Sequence, residues 1–296
     1  FLNALLEDFG LCHGNVLVVP GNHNIRWTIS GKPAPREQRE ASYRTFYRSI
    51  KREDPRDDLS SFLIREDVSI LGLNSTRLED EENPGTGYVG VKQLDELLGD
   101  VNSARREKNW STEVPIVAVM HHHLIPVTRL EPISNDRPYS ITLDAEGIQS
   151  RMFDEGVVLV LHGHQHQPFL RKVVQPDAPV ASLVLAGACS CGVGRDYLGD
   201  SVRKQFQVLQ LSNDEIVVDR CSTTEKNEGE FRSWSRTIVQ LQNQTLPLRE
   251  TIWKSGQIEF HVDAQKRVFE AEKQVILMGT GLNIIQNTQT LENVLQ

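Results

Sequence analysis

Long apolar runs are missing from this chain of 296 residues. None approaches the roughly 18 residues that span a bilayer as a helix, so no membrane partner is expected. Cysteine is scarce. Cys12, Cys189, Cys191 and Cys221 are too few for the disulfide framework of a small secreted domain. Cys189 and Cys191 stand one residue apart, whereas redox and metal pairs usually have two residues between them. They read as a small-residue stretch at a strand end, and a reducing, cytoplasmic compartment is the expectation. The opening Phe1-Leu2-Asn3-Ala4-Leu5-Leu6 has no initiator Met, basic segment or small-residue cleavage site, unlike a signal peptide. Its apolar spacing is helical and Gly10 would stop it, so the chain is expected to start inside a longer protein. A basic excess is also lacking. The 40 acidic and 32 basic side chains leave a formal charge of −8, without the footprint of a dedicated nucleic-acid binder.

What is present is a series of short apolar strands. Val16 to Val19 ends at Pro20-Gly21, and by length and β-branching it suits a buried parallel strand. Further strands are expected at Val68 to Leu73, Val114 to Met120, Val157 to Leu161 and Ser182 to Ala186. Helices are expected in the second half of Pro33 to Lys51, where Tyr43, Phe46, Tyr47 and Ile50 share a face, and from Gln93 onward. Asn83 to Gly90 reads as a loop. Later the texture changes. Phe206 to Leu211 and Ile216 to Arg220 flank a hairpin signal, and Ser235 to Leu241 is one more candidate strand. Strands alternating with helical stretches predict an α/β layered fold.

Seven of the nine histidines fall in three places: His23; His121, His122 and His123; His162, His164 and His166. Each place directly follows an apolar strand. In open α/β sheets the ligand crevice lies beyond the carboxyl ends of the strands, so three segments deliver imidazoles to one edge. Neutral imidazole is a common ligand for transition metals, and Asn or carboxylate oxygens suit harder cations. His164 and His166 would point the same way on an extended strand, whereas on a turn they could reach two neighbouring ions. His23 could serve as a proton donor. His162 reads as a strand-end residue.

At these residues the sequence resembles the calcineurin-like metallophosphoesterase superfamily. Gly21-Asn22-His23-Asn24 matches its Gly-Asn-His block, His121-His122-His123-Leu124-Ile125-Pro126 resembles its strand-end His block, and Gly163-His164-Gln165-His166 matches Gly-His-x-His, in the family's order. The resemblance implies a layered β-sandwich flanked by helices and two divalent metal ions, with manganese, iron or zinc the candidates. Asn22, His122 and His164 would hold one ion, with His121 as the alternative to His122. His166 would hold the other. His23 would contact the phosphate and protonate the leaving oxygen. Asn24 stands where the family has an acidic residue that orients this His, which implies a weaker general acid. The family's Asp-x-His and Gly-Asp-x-x-Asp blocks are absent, so the domain is expected to be N-terminally truncated.

The implied activity is metal-dependent phosphoester hydrolysis, of the phosphodiesterase or phosphatase type, on a phosphoester that could be a nucleotide. Activity of this fragment is expected to be impaired. Two alternatives stay open. A nuclease on DNA or RNA would need a basic track such as Arg26, Arg36, Arg39, Arg44, Arg48, Lys51 and Arg52. Glu37, Glu40, Glu53 and Asp54 interleave with it, so a solvated helix face is favoured. A scaffold that has lost catalysis is the other alternative. Residues 1–242 are expected to form the phosphoesterase domain, and 243–296 a linker and the start of a further domain or tail.

Overall fold

The computed structural model describes residues 12–25, 28–29, 32–80, 85–127, 141–175, 178–191, 202–212, 214–224, 231–241, 249–254, 274–279 and 282–287. The expected opening helix lies outside them. A six-stranded mixed sheet forms the centre. Its strands are β4 (Ser61–Arg65), β5 (Val68–Gly72), β6 (Ile116–Met120), β7 (Val157–His162), β8 (Phe169–Gln175) and β9 (Ala178–Gly187). Their spatial order is β4-β5-β6-β7-β9-β8. The β5, β6, β7 and β9 strands run parallel, with β4 and β8 antiparallel at the two edges. All five residues of β5 and of β6 are buried, as parallel strands covered on both faces require.

Side-chain alternation divides that sheet between two cores. Ile70, Val117, Val119, Leu159, Leu161 and Val184 face one side, against Leu209, Ile216, Val218 and Val239. These last belong to β10 (Gln205–Leu211), β11 (Glu215–Thr223) and β12 (Phe231–Gln240) of a second, antiparallel sheet. Leu71, Ala118, Met120, Val160 and Leu185 face the other side, against two helices. One is Val91–Glu107, which buries Leu94, Leu97, Leu98 and Val101 at the i, i+3, i+4, i+7 spacing of a helix face. The other is Ala145–Asp154, which buries Ile148 and Met152. The result is a helix layer, a mixed sheet and an antiparallel sheet, as the α/β expectation had it.

Along the chain these helices are α3 (Val91–Glu107) and α4 (Ala145–Asp154). They follow the short α1 (Arg36–Arg39) and α2 (Ala41–Lys51). In α2 Tyr43, Tyr47 and Ile50 are buried, while Phe46, expected on the same face, is 40% exposed. The tyrosine hydroxyl of Tyr43 donates to Val18 O at 3.1 Å, and Lys51 Nζ to Val16 O at 3.1 Å. Both bonds fasten β1 (Val16–Leu17) and the segment that leads from it to Asn22; β2 (Thr28–Ile29) and β3 (Lys32–Pro33) form a separate antiparallel pair. Arg44 pairs with Glu40 and Arg48 with Asp54, which accords with the solvated-face reading of this basic stretch.

The second sheet has the order β1-β15-β14-β10-β11-β12-β13, where β13 is Arg249–Lys254, β14 is Gln274–Gly279 and β15 is Leu282–Asn287. Segments on both sides of position 242 therefore hydrogen-bond into one sheet. β13, β14 and β15 all lie within 243–296, the range expected to hold a linker and the start of a further domain or tail. No helix among the described residues is long and apolar enough to cross a membrane.

Candidate metal centre

The three histidine runs do reach one edge. β6 and β7 are parallel neighbours with Met120 opposite His162, so His121–His123 and His162–His166 leave the sheet side by side. Three hydrogen bonds lock the two runs together. Gly163 N–H donates to His121 O at 3.2 Å. His162 Nδ1 lies 2.8 Å from His122 O, and His123 Nε2 lies 2.9 Å from Gly163 O. A carbonyl oxygen only accepts, so each of these ring nitrogens carries the proton. Through these nitrogens His123 and His162 tie the two runs together, while His162 Nε2 is buried without a hydrogen-bond partner among the described residues. The reading of His162 as a strand-end residue agrees with this geometry.

The contact that organises the edge is a junction of three side chains. His121 Nε2 lies 2.9 Å from Asn22 Oδ1 and 2.9 Å from His164 Nδ1. One ring proton cannot serve two acceptors well, so at least one lone pair is left aimed at an occupied point. Asn22 enters from the short turn Asn22–Asn24 after β1. His164 enters from a left-handed backbone conformation, φ 67°, and His166 has φ 53°. Neither residue is on an extended strand. The extended geometry under which both rings would point the same way is therefore not the one adopted.

His122 is placed differently from the sequence expectation. It is fully buried. Its Nδ1 lies 3.0 Å from Ser75 Oγ, which also accepts the His122 backbone N–H at 3.1 Å. Its Nε2 faces Glu79 Oε2 at 3.5 Å. Burial raises the Glu79 carboxyl to about 7 and lowers His122 to about 3, so this pair is predominantly uncharged near pH 6. The His122 ring packs against those of His121 and His164, at 5.1 Å and 4.8 Å between centroids. The residue that meets Asn22 and His164 is therefore His121, the alternative of the sequence reading. Ser75 and Glu79 were not anticipated. The available signal was their position just beyond β5, at the same sheet edge.

The remaining expected residues surround this junction. His23 is exposed on its turn; burial lowers His164 and His166, and the neighbouring His23 imidazole acts in the same direction. Asn24 Oδ1 accepts the Gly21 N–H at 3.0 Å, so its oxygen closes the turn. His166 Nδ1 is buried without a hydrogen-bond partner among the described residues.

These donors can be tested against a metal. A four-coordinate ion with bonds near 2.0–2.1 Å keeps its ligands about 3.4 Å apart. Asn22, His121 and His164 would accept one after opening by a few tenths of an ångström. His166 alone does not make a second site. Among the described residues no group of three or more His, Cys, Asp and Glu side chains stands in metal-holding geometry. The residues present thus fit one ion, with an Asn oxygen as the third donor, and do not fit a pair.

Close approach at the junction requires a glycine. A Cβ at Gly21 would lie 2.8 Å from two atoms of the His121 ring, inside van der Waals contact. Gly21→Ala is expected to displace that ring and weaken manganese binding about tenfold or more, as loss of ligand positioning does. Equilibrium dialysis with manganese checks this.

The calcineurin-like phosphoesterase family matches residues 1–168. No curated protein matches the chain. Among solved structures, a single mutant of Vps29 from Entamoeba histolytica is similar at 13% identity. The match covers 58% of this chain and 81% of that one, with a TM-score of 0.21.

Proposed function

The chain belongs to the calcineurin-like phosphoesterase family, and from that premise we propose that its histidine edge serves metal-dependent hydrolysis of phosphoesters. The observation that carries this is the junction of Asn22 Oδ1, His121 Nε2 and His164 Nδ1 at 2.9 Å. Asn22, His121 and His164 would hold one divalent ion, manganese, iron or zinc. His166 keeps a buried Nδ1 without a hydrogen-bond partner among the described residues. A dinuclear centre would need carboxylates beyond those described. Bound divalent ions polarise a phosphoryl oxygen and lower the pKa of water.

The chain's own residues supply the rest. His123 and His162 hold the two ligand-bearing turns in register. Ser75 fixes the His122 ring, and that ring walls the junction behind His121 and His164. His23, exposed on the turn that carries Asn22, would contact a phosphate and give its proton to the departing oxygen. A phosphodiesterase or phosphatase type of activity and a cytoplasmic location belong to the same proposal.

Phosphate release from para-nitrophenyl phosphate, with and without added manganese, tests the reading. Slow hydrolysis that needs manganese and is abolished in Asn22→Ala is expected. Equal rates in Asn22→Ala and the unsubstituted chain would overturn it, and equal rates at the protein-free background would favour the scaffold alternative.

A further inference from the structure

A cavity of about 210 Å³ opens beside the histidine edge, lined by Ile25, Arg39, Asn74, Thr76, Arg77 and Tyr88 among others. Two links place it there. Ile25 directly follows the Asn22–Asn24 turn. Ser75, between Asn74 and Thr76, bonds His122. The segments that line the cavity thus continue directly from those that carry Asn22 and support His122.

Its charge is unusual for a chain with an acidic excess. Arg39, from α1, donates one N–H to Glu79 O. Arg77, after β5, donates one to Val89 O at 2.9 Å, and its guanidinium lies 5.8 Å from the Tyr88 ring centroid. A guanidinium has five N–H donors, so each has capacity left, and neither is in an ion pair among the described residues. The one carboxylate in the lining, Glu40, is held by Arg44 at 2.7 Å. Asn74 is committed to the fold. Its Oδ1 accepts from Thr76 N and Oγ1, and its Nδ2 donates to Asp58 O. What remains is two cationic forks entering from different elements. One fork suits the single plane of a carboxylate, whereas two from different directions suit the spread oxygens of a phosphate dianion. The volume is below the roughly 300–1,000 Å³ of a pocket for a drug-sized ligand, and suits a group of this size.

We propose that this cavity binds a second phosphate group of the substrate, so that the preferred substrate is a small bisphosphorylated molecule. The proposal rests on the phosphoesterase reading for where the first phosphate sits. Calorimetric titration with manganese present compares pentanediol bisphosphate with pentyl phosphate, which differ by that one group. The unsubstituted chain is expected to bind the bisphosphate at least about tenfold more tightly, the size of effect that losing one charge-assisted bond produces. In Arg77→Ala the ratio should fall close to one, and in Arg77→Lys it should be intermediate, because the charge stays and the fork is lost. Arg77 is exposed, and matching thermal melts confirm that the variants fold. A preference unchanged in Arg77→Ala overturns the assignment, as does no preference, or no binding, in the unsubstituted chain. Phosphate release from both esters is measured separately. Failure to hydrolyse either counts against the phosphoesterase reading, while the binding ratio still decides the cavity.

Discussion

His121→Ala is expected to lower manganese affinity by more than about 100-fold, and His122→Ala by about 10–100-fold, the usual range for a residue that supports a ligand without being one. The ordering follows from where the two rings point. His121 Nε2 meets both Asn22 Oδ1 and His164 Nδ1 at 2.9 Å, so its removal takes away a donor and uncouples the other two. His122 has Nδ1 on Ser75 and Nε2 toward Glu79, so its removal leaves the three donors in place and loosens the wall behind them. Titration of each variant with manganese, followed by equilibrium dialysis, reads both numbers. The reverse ordering would return His122 to the role the sequence reading assigned it.

The metal-free chain is expected to unfold on mild acidification, well before pH 3. Burial lowers His122, His123 and His164 to about 3 and His162 to about 4, against an ordinary value of 6.5. The sign follows from proton counting. Between the lowered folded values and 6.5 the unfolded chain binds more protons than the folded one, so stability falls as pH falls through this window. For His162 alone the shift corresponds to about 3 kcal/mol. Two such groups approach the whole stability of an ordinary domain, about 5–15 kcal/mol. Glu79 works in the opposite direction. Its raised value of about 7 makes the folded chain the better proton binder between about 4.5 and 7, which offsets part of the loss. Four histidines outweigh one carboxyl. Far-ultraviolet circular dichroism against pH, in the presence of a chelator, should show a midpoint between about pH 4 and 6. In His162→Gln, which removes one titrating group, the transition should move to lower pH. An unmoved transition would mean that His162 does not carry the acid sensitivity.

The central strands were legible because their chemistry is one-dimensional. A short β-branched run such as Val157 to Leu161 must be buried on both faces, and nothing else in the chain competes for that description. β4, β8 and α4 were not singled out. Ser61–Arg65 and Phe169–Gln175 sit at sheet edges, where one side of the strand is free and polar residues interrupt the pattern. Ala145–Asp154 has a mixed composition, and it is buried because β7 and β9 lie beneath it.

The site divides in the same way. Sequence alone determined that imidazoles from His23, from His121 to His123 and from His162 to His166 would gather at one edge. The runs at His121 and His162 follow β6 and β7, and parallel strands end on the same side; His23 follows β1, which reads as a parallel strand in the sequence but pairs antiparallel with β15 in the second sheet. Tertiary structure decided which imidazole does what. Three consecutive histidines look alike in a sequence. In the fold the pleat at the end of β6 sends successive rings in different directions. His121 goes to Asn22 and His164, His122 goes down to Ser75 and Glu79, and His123 goes across to the Gly163 carbonyl. The same holds for the cavity. Arg39 and Arg77 stand 38 positions apart, and each reads as an ordinary surface cation. Only the approach of α1 to the end of β5 turns them into a pair, because charge that is solvated separately along a chain becomes a binding feature when packing brings it to one wall.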